Sequence, residues 1–314
     1  MPDHLSENTL APSSSQLPLT SHQVVIPIVA GDGAHFELLC VCPDGEWRQL
    51  LYWLPAMGVA AKHYLPMAEA LAAKGIAVAI HEWRGIGSSD RRAGRASNWG
   101  YRELLLDDLP PAMAAVRTRC PQKTVLIGGH SLGGQIAALY AALHPDDYAG
   151  IALVASGAPY WRAYPHSLLI KLGCMLAPLV ANFRGYLPGR RIGFAGNEAR
   201  GLTSDWARSA RNGRYSATGM PQDLDQLLAA LQLPIFALRL SDDWLVPKAS
   251  LEWLLGKMPQ APNQVGVLTP TDLDGQPTDH FGWMQAPGPI VERMAEWLAA
   301  CNTMGKPRAL ITPT

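Results

Sequence analysis

From about residue 23 onward the chain alternates short, mostly apolar runs with longer segments whose apolar residues recur three and four positions apart. An apolar run with no polar alternation is what a strand covered on both faces requires, and the 3.6-residue period marks helices packed against it. This pattern predicts strands at 50–54, 76–82, 124–128, 148–155, 234–240 and 263–268, with helices at 63–74, 101–118, 132–143, 248–257 and 288–300. Ahead of them, 23–30 and 35–41 read as a hairpin turning at Gly31-Asp32-Gly33. The alternation implies an α/β fold: a mostly parallel central sheet with helices on both faces, whose ligands bind beyond the carboxyl ends of the strands.

The rhythm fails once. Between the strands at 148–155 and 234–240, residues 157–233 do not alternate, and they read as an insertion between core segments 22–156 and 234–301. The insertion opens on an aromatic stretch, with Tyr160, Trp161 and Tyr164 as candidates to contact a substrate. A nearly continuous apolar run follows at 168–180, with Leu172 near its middle. Lys171 and Pro178 interrupt that run and it is short for a bilayer span, so no transmembrane helix is expected. It reads as a helix lining an apolar pocket, or as a face that seeks a membrane surface. Residues 1–21 and 302–314 read as loose tails.

Candidate chemistry is concentrated at Gly128-Gly129-His130-Ser131-Leu132-Gly133-Gly134. A β-branched strand precedes this stretch and a helical segment follows, so G-x-S-x-G falls at a strand-to-helix turn. Such a turn holds the serine hydroxyl clear of the sheet, and its flanking glycines permit close approach of strand and helix. A nucleophilic serine needs a base and a group to orient that base. The second half supplies both: Asp243 follows the strand at 234–240, and His280 lies in a loop after the strand at 263–268. Asp279 adjoins His280 in sequence and is a poor orienter. His63, His81, His144 and His166 lack metal-ligand spacing and read as ordinary residues.

These residues resemble the α/β-hydrolase superfamily over most of 24–300, and four separated signatures carry the resemblance. They are the elbow at Ser131; Asp243-Trp244-Leu245-Val246-Pro247, similar to the family's D-x-x-V-P turn; His280-Phe281-Gly282, similar to its H-F-G; and Glu82-Trp83-Arg84-Gly85-Ile86-Gly87-Ser88-Ser89, similar to its D-x-R-G-x-G-x-S. Glu82 departs from the family's aspartate in a segment that is structural there. Pro247 lies four residues after Asp243, which favours Asp243 over Asp242 as the acid. The resemblance implies that the insertion at 157–233 is a cap, and it implies a Ser131–His280–Asp243 triad and an oxyanion hole of backbone N–H groups from Leu132 and Met57. The marker histidine of the oxyanion loop is missing, since the chain reads Pro55-Ala56-Met57-Gly58. The branch it most resembles contains monoglyceride-lipase-like and serine-aminopeptidase-like hydrolases. The implied activity is hydrolysis of a carboxylic ester through an acyl-enzyme. A thioester, an amide or peptide, a lactone, transfer to another acceptor, or a binding protein of low turnover remain as alternatives. No metal or organic cofactor is needed for that chemistry.

Composition narrows the partners. Hydrophobic residues are 48 % and charged residues 17 %, which excludes a disordered or coiled-coil chain. Formal charge is zero with no basic face beyond a basic tilt of the insertion at Arg190, Arg191 and Arg208, so nothing suggests nucleic acid, and the small acyl substrate is what the resemblance implies. Five scattered cysteines, an odd number, read as reduced thiols. With no secretory signal in the first residues, they imply a cytoplasmic setting.

Overall fold

The computed structural model describes residues 20–121 and 123–303; of the expected tails at 1–21 and 302–314, residue 21 opens the first strand and 302–303 end the last helix, and the remainder apart from residue 20 lies outside the described residues. In chain order the main sheet holds β1 (Ser21–Val29), β2 (His35–Pro43), β3 (Gln49–Leu54), β4 (Ile76–Ile80), β5 (Thr124–His130) and β6 (Ile151–Val154); after the cap come β9 (Ile235–Leu240) and β10 (Asn263–Leu268). Its order is β1-β2-β4-β3-β5-β6-β9-β10. The hairpin β1–β2 joins antiparallel, and everything from β4 to β10 is parallel. Helices α1 (Leu65–Ala72), α2 (Leu109–Arg119) and α3 (Leu132–Leu143) connect the strands of the first half.

Strand β3 shows why its sequence is apolar throughout. Leu50, Tyr52 and Leu54 enter the buried cluster on one side of the sheet, and Leu51 and Trp53 enter the cluster on the other. Successive side chains point to opposite faces, so a strand covered twice has no solvent face to mark with polar residues.

Two helices depart from the expected limits. The segment 63–74 begins with a 3₁₀ turn, Ala61–Tyr64, before α1. The segment 101–118 opens as a π-helix, Glu103–Asp108, before α2. Pro110 and Pro111 lack the N–H that would close ordinary helical bonds to residues 106 and 107, so the turn ahead of them widens. The Asp107 carbonyl, left without that donor, accepts the Gly31 N–H of the β1–β2 turn at 2.8 Å. Beside it Arg84 is clamped by Asp108 and Asp32, with its Nη atoms 2.6 Å from each carboxylate. That ion cluster ties the segment after β4 to helix α2 and the hairpin.

The cap contains α4 (Ser167–Arg184), a small hairpin of β7 (Tyr186–Pro188) and β8 (Asn197–Ala199) around α5 (Gly189–Ile192), and then α6 (Arg200–Asn212). The next helix, α7 (Leu224–Ala230), falls inside the interval expected as cap, yet Leu224 and Leu228 pack into the main core beside α3. The sequence after β9 supplies α8 (Lys248–Leu255) and α9 (Gly288–Thr303). Helix α4 is 18 residues long, longer than the run read from sequence, and by length and composition it could cross a bilayer. Instead it packs against α6 and β7.

Candidate active site

Strand β5 ends at His130, α3 begins at Leu132, and Ser131 between them has φ 55° and ψ −120°. This conformation costs a non-glycine residue on the order of 1–3 kcal/mol and persists only where the surroundings enforce it. The surroundings here leave no room for side chains at the flanking glycines. A Cβ on Gly129 would lie 2.3 Å from the Gly133 carbonyl carbon, and one on Gly133 would lie 2.0 Å from the Leu54 oxygen. Helix and strand are therefore pressed together at the turn that carries the serine.

The acid and the histidine arrive from the other half. His280 Nδ1 lies 2.7 Å from Asp243 Oδ2, and both side chains are buried. The other oxygen of Asp243 accepts the N–H groups of Leu245 and Val246 at 2.9 and 3.1 Å, so the carboxylate is fixed by its own turn. An acceptor at Nδ1 places the histidine proton there and leaves Nε2 as the basic nitrogen. The His280 ring packs on that of His130, immediately before Ser131, with centroids 4.6 Å apart. Asp242 points elsewhere, accepting the N–H and hydroxyl of Thr278 at 3.1 and 3.0 Å. Asp279 caps its own loop through the N–H groups of Phe281 and Gly282.

His130, which from its place before Ser131 is expected to pack or hydrogen-bond rather than titrate, does both. Burial holds its pKa well below the ordinary histidine value, so the ring is neutral. Its Nδ1 accepts from the Tyr64 hydroxyl at 2.8 Å, and that hydroxyl accepts the Ala56 N–H at 2.9 Å. Trp83 Nε1 donates to the Pro55 carbonyl at 2.8 Å. The loop carrying Met57 is thus held from both sides. The Leu132 N–H is the first of α3 and has no partner within the helix.

Met57 and Leu132 line one narrow cavity together with Trp83, Ile86, Trp99 and Leu202. The expected cap contacts lie elsewhere. Tyr160 is buried against Trp253, with ring centroids 4.4 Å apart. Trp161 packs with the cations of Arg162 and Lys171, and Tyr164 donates its hydroxyl to the Leu245 carbonyl at 3.1 Å. Leu172 is half exposed on the outer side of α4 and lines no part of this cavity, because the inner side of that helix is taken up by α6. The aromatic wall comes from Trp83 and Trp99 in the core.

Glu198, from β8, also lines this cavity. It is buried, its Oε1 accepts the Gly196 N–H at 2.9 Å, and burial pushes its pKa up from the ordinary 4.5 to about 7. A lone glutamate in a three-residue strand gives no sequence signal for such a position. Because the folded protein favours the protonated form, Glu198 destabilises the fold as pH rises from 4.5 through about 7. In Glu198→Gln that loss should disappear. The stability gap between variant and wild type, measured by denaturant unfolding, should be near zero at pH 4 and open above pH 7 to as much as about 3 kcal/mol.

A family model described as serine aminopeptidase, S33 matches residues 45–268. Among curated proteins, none matches in sequence. Solved structures do match. A soluble variant of monoglyceride lipase from Saccharomyces cerevisiae superposes with TM-score 0.65 at 16 % identity, over 92 % of this chain and 97 % of that one. A thermophilic esterase from Thermogutta terrifontis gives 0.59 at 19 % identity, over 89 % and 99 %. The thioesterase domain of the curacin biosynthetic pathway gives 0.56 at 16 %, over 89 % and 99 %. At such identities the structures speak for the fold. The family match spans most of the sheet, and with it the chain belongs to the serine aminopeptidase S33 family and is an α/β-hydrolase enzyme.

Proposed function

We propose that this hydrolase cleaves a carboxylic ester through an acyl-enzyme on Ser131. His280 Nε2 takes the Ser131 proton as the hydroxyl oxygen bonds to the acyl carbon. Asp243 keeps the imidazole in the tautomer that can do this and stabilises it once charged. The N–H groups of Leu132 and Met57 receive the oxyanion of the tetrahedral intermediate. Collapse breaks the bond to the alkoxide, which leaves as the alcohol with the proton from His280. Water then attacks the acyl-serine with His280 again as base, and the carboxylic acid is released. The observation that carries this reading is the buried Asp243–His280 pair at 2.7 Å, whose imidazole packs on the ring of His130, the residue before the strained Ser131.

The apolar lining favours an acyl chain that gains by burial. Each sequestered CH₂ contributes about 0.8 kcal/mol, so kcat/KM should rise a few-fold per methylene until the cavity is full. The cavity is narrow, so the peak is expected at short-to-medium acyl chains. A panel of graded acyl esters with matched thioesters and amides tests this. Esters are expected to turn over fastest, and faster cleavage of the matched amide would give the family's peptidase chemistry to this chain instead.

A further inference from the structure

Helix α4 inverts the usual arrangement of an amphipathic helix. Its inner side, against α6, is built from small residues: Cys174 and Ala181 are the two it buries. Its large apolar residues point outward. Leu168 is 73 % exposed, Leu169 69 % and Phe183 80 %, and Leu176, Leu179 and Met175 are also exposed. An apolar surface of this extent, left open on one helix, marks a place where something else docks.

The charge around it identifies the occupant. Residues 157–233 carry nine Lys and Arg against four Asp and Glu, while the rest of the chain carries seventeen against twenty-two. From Gly157 to Asn197 there are five cations, Arg162, Lys171, Arg184, Arg190 and Arg191, and no acid at all. Four of the five are exposed. Trp161, beside the start of α4, packs with Arg162 at 4.6 Å and Lys171 at 4.8 Å, an amphipathic group suited to a headgroup layer. A chain that is neutral overall thus concentrates positive charge in the segment that carries the exposed apolar face of α4.

We propose that the outer face of α4 docks on an anionic lipid surface, lying in the interface with the flanking cations against the headgroups. A helix fixed to α6 along its inner side cannot leave the cap to span a bilayer without unfolding that contact. An apolar face rimmed by Lys and Arg has the composition of a helix that lies in the membrane plane. The positive rim adds attraction to anionic headgroups that acts within a Debye length and is screened by salt. Docking is independent of what the active site cleaves.

Cosedimentation of the full chain with phosphatidylcholine vesicles, with and without phosphatidylserine, tests the proposal. The wild type is expected to pellet with the mixed vesicles, less with the neutral ones, and less again in high salt. Leu169→Asp combined with Leu176→Asp should weaken the partitioning at least about tenfold, since exposed leucines lose their burial in the interface. Thermal unfolding should be unchanged, as both side chains are exposed. Arg190→Glu with Arg191→Glu should remove most of the preference for phosphatidylserine. A wild type that stays in the supernatant with the mixed vesicles overturns the proposal. So does a lipid-free dimer that the leucine variant dissociates in sedimentation, which would make this face a contact between copies of the chain.

Discussion

Ser131→Ala is expected to lower ester turnover by roughly 10³-fold or more while the fold survives. The backbone at this position is held by its neighbours: the Ser131 N–H donates to the Val154 carbonyl, and its own carbonyl accepts the Ser156 hydroxyl at 2.7 Å. Neither contact uses the serine side chain. Alanine can be held at φ 55° by the same constraints, so unfolding should be unaffected and the loss should fall on kcat. What remains would be the contribution of the oxyanion donors and the binding cavity. Turnover of a soluble short-chain ester, with denaturant unfolding in parallel, checks both halves. A variant that keeps most of its turnover assigns the nucleophile elsewhere.

Asp243→Asn should be nearly as damaging, by up to about 10⁴-fold, and Asp242→Asn should cost less than about tenfold. The asymmetry follows from what each carboxylate touches. Asp243 Oδ2 accepts from His280 Nδ1, and its Oδ1 is already occupied by the Leu245 and Val246 N–H groups. Asparagine would keep an oxygen for those two donors and turn its NH₂ toward His280. The ring would then carry its proton on Nε2 and lose the lone pair that Ser131 needs. Asp242 is exposed and bonds to Thr278, where asparagine can still accept. Comparing kcat/KM of the two variants decides the assignment, and the reverse ranking would move the acid to Asp242.

Most of the fold was legible because its strands are covered on both faces. The runs at 50–54, 124–128 and 234–240 are apolar but for Thr124 and Arg239, and each proved to be an inner strand of the sheet. The elbow could be read for a related reason: the close approach of α3 to β3 and β5 demands glycine at 129 and 133, and that demand is written in sequence. The departures arose where tertiary contacts set the backbone. The π-helical turn before α2 depends on two prolines and on the Gly31 N–H meeting the Asp107 carbonyl, a pairing between distant segments. In the cap, apolarity alone could not tell an inward face from an outward one. Leu172 was expected to line a pocket and instead faces out, because small residues such as Cys174 and Ala181 are the ones that let α4 approach α6. The support of the loop carrying Met57 was likewise hidden, since Tyr64, His130 and Ala56 are brought together only by the fold.

The most direct test is to incubate the protein with a fluorophosphonate and map the adduct by peptide mass spectrometry. One adduct per chain, on the Ser131 hydroxyl and absent from Ser131→Ala, is the result that a triad of Ser131, His280 and Asp243 predicts. An adduct on another residue, or labelling of Ser131→Ala at the wild-type rate, would contradict it.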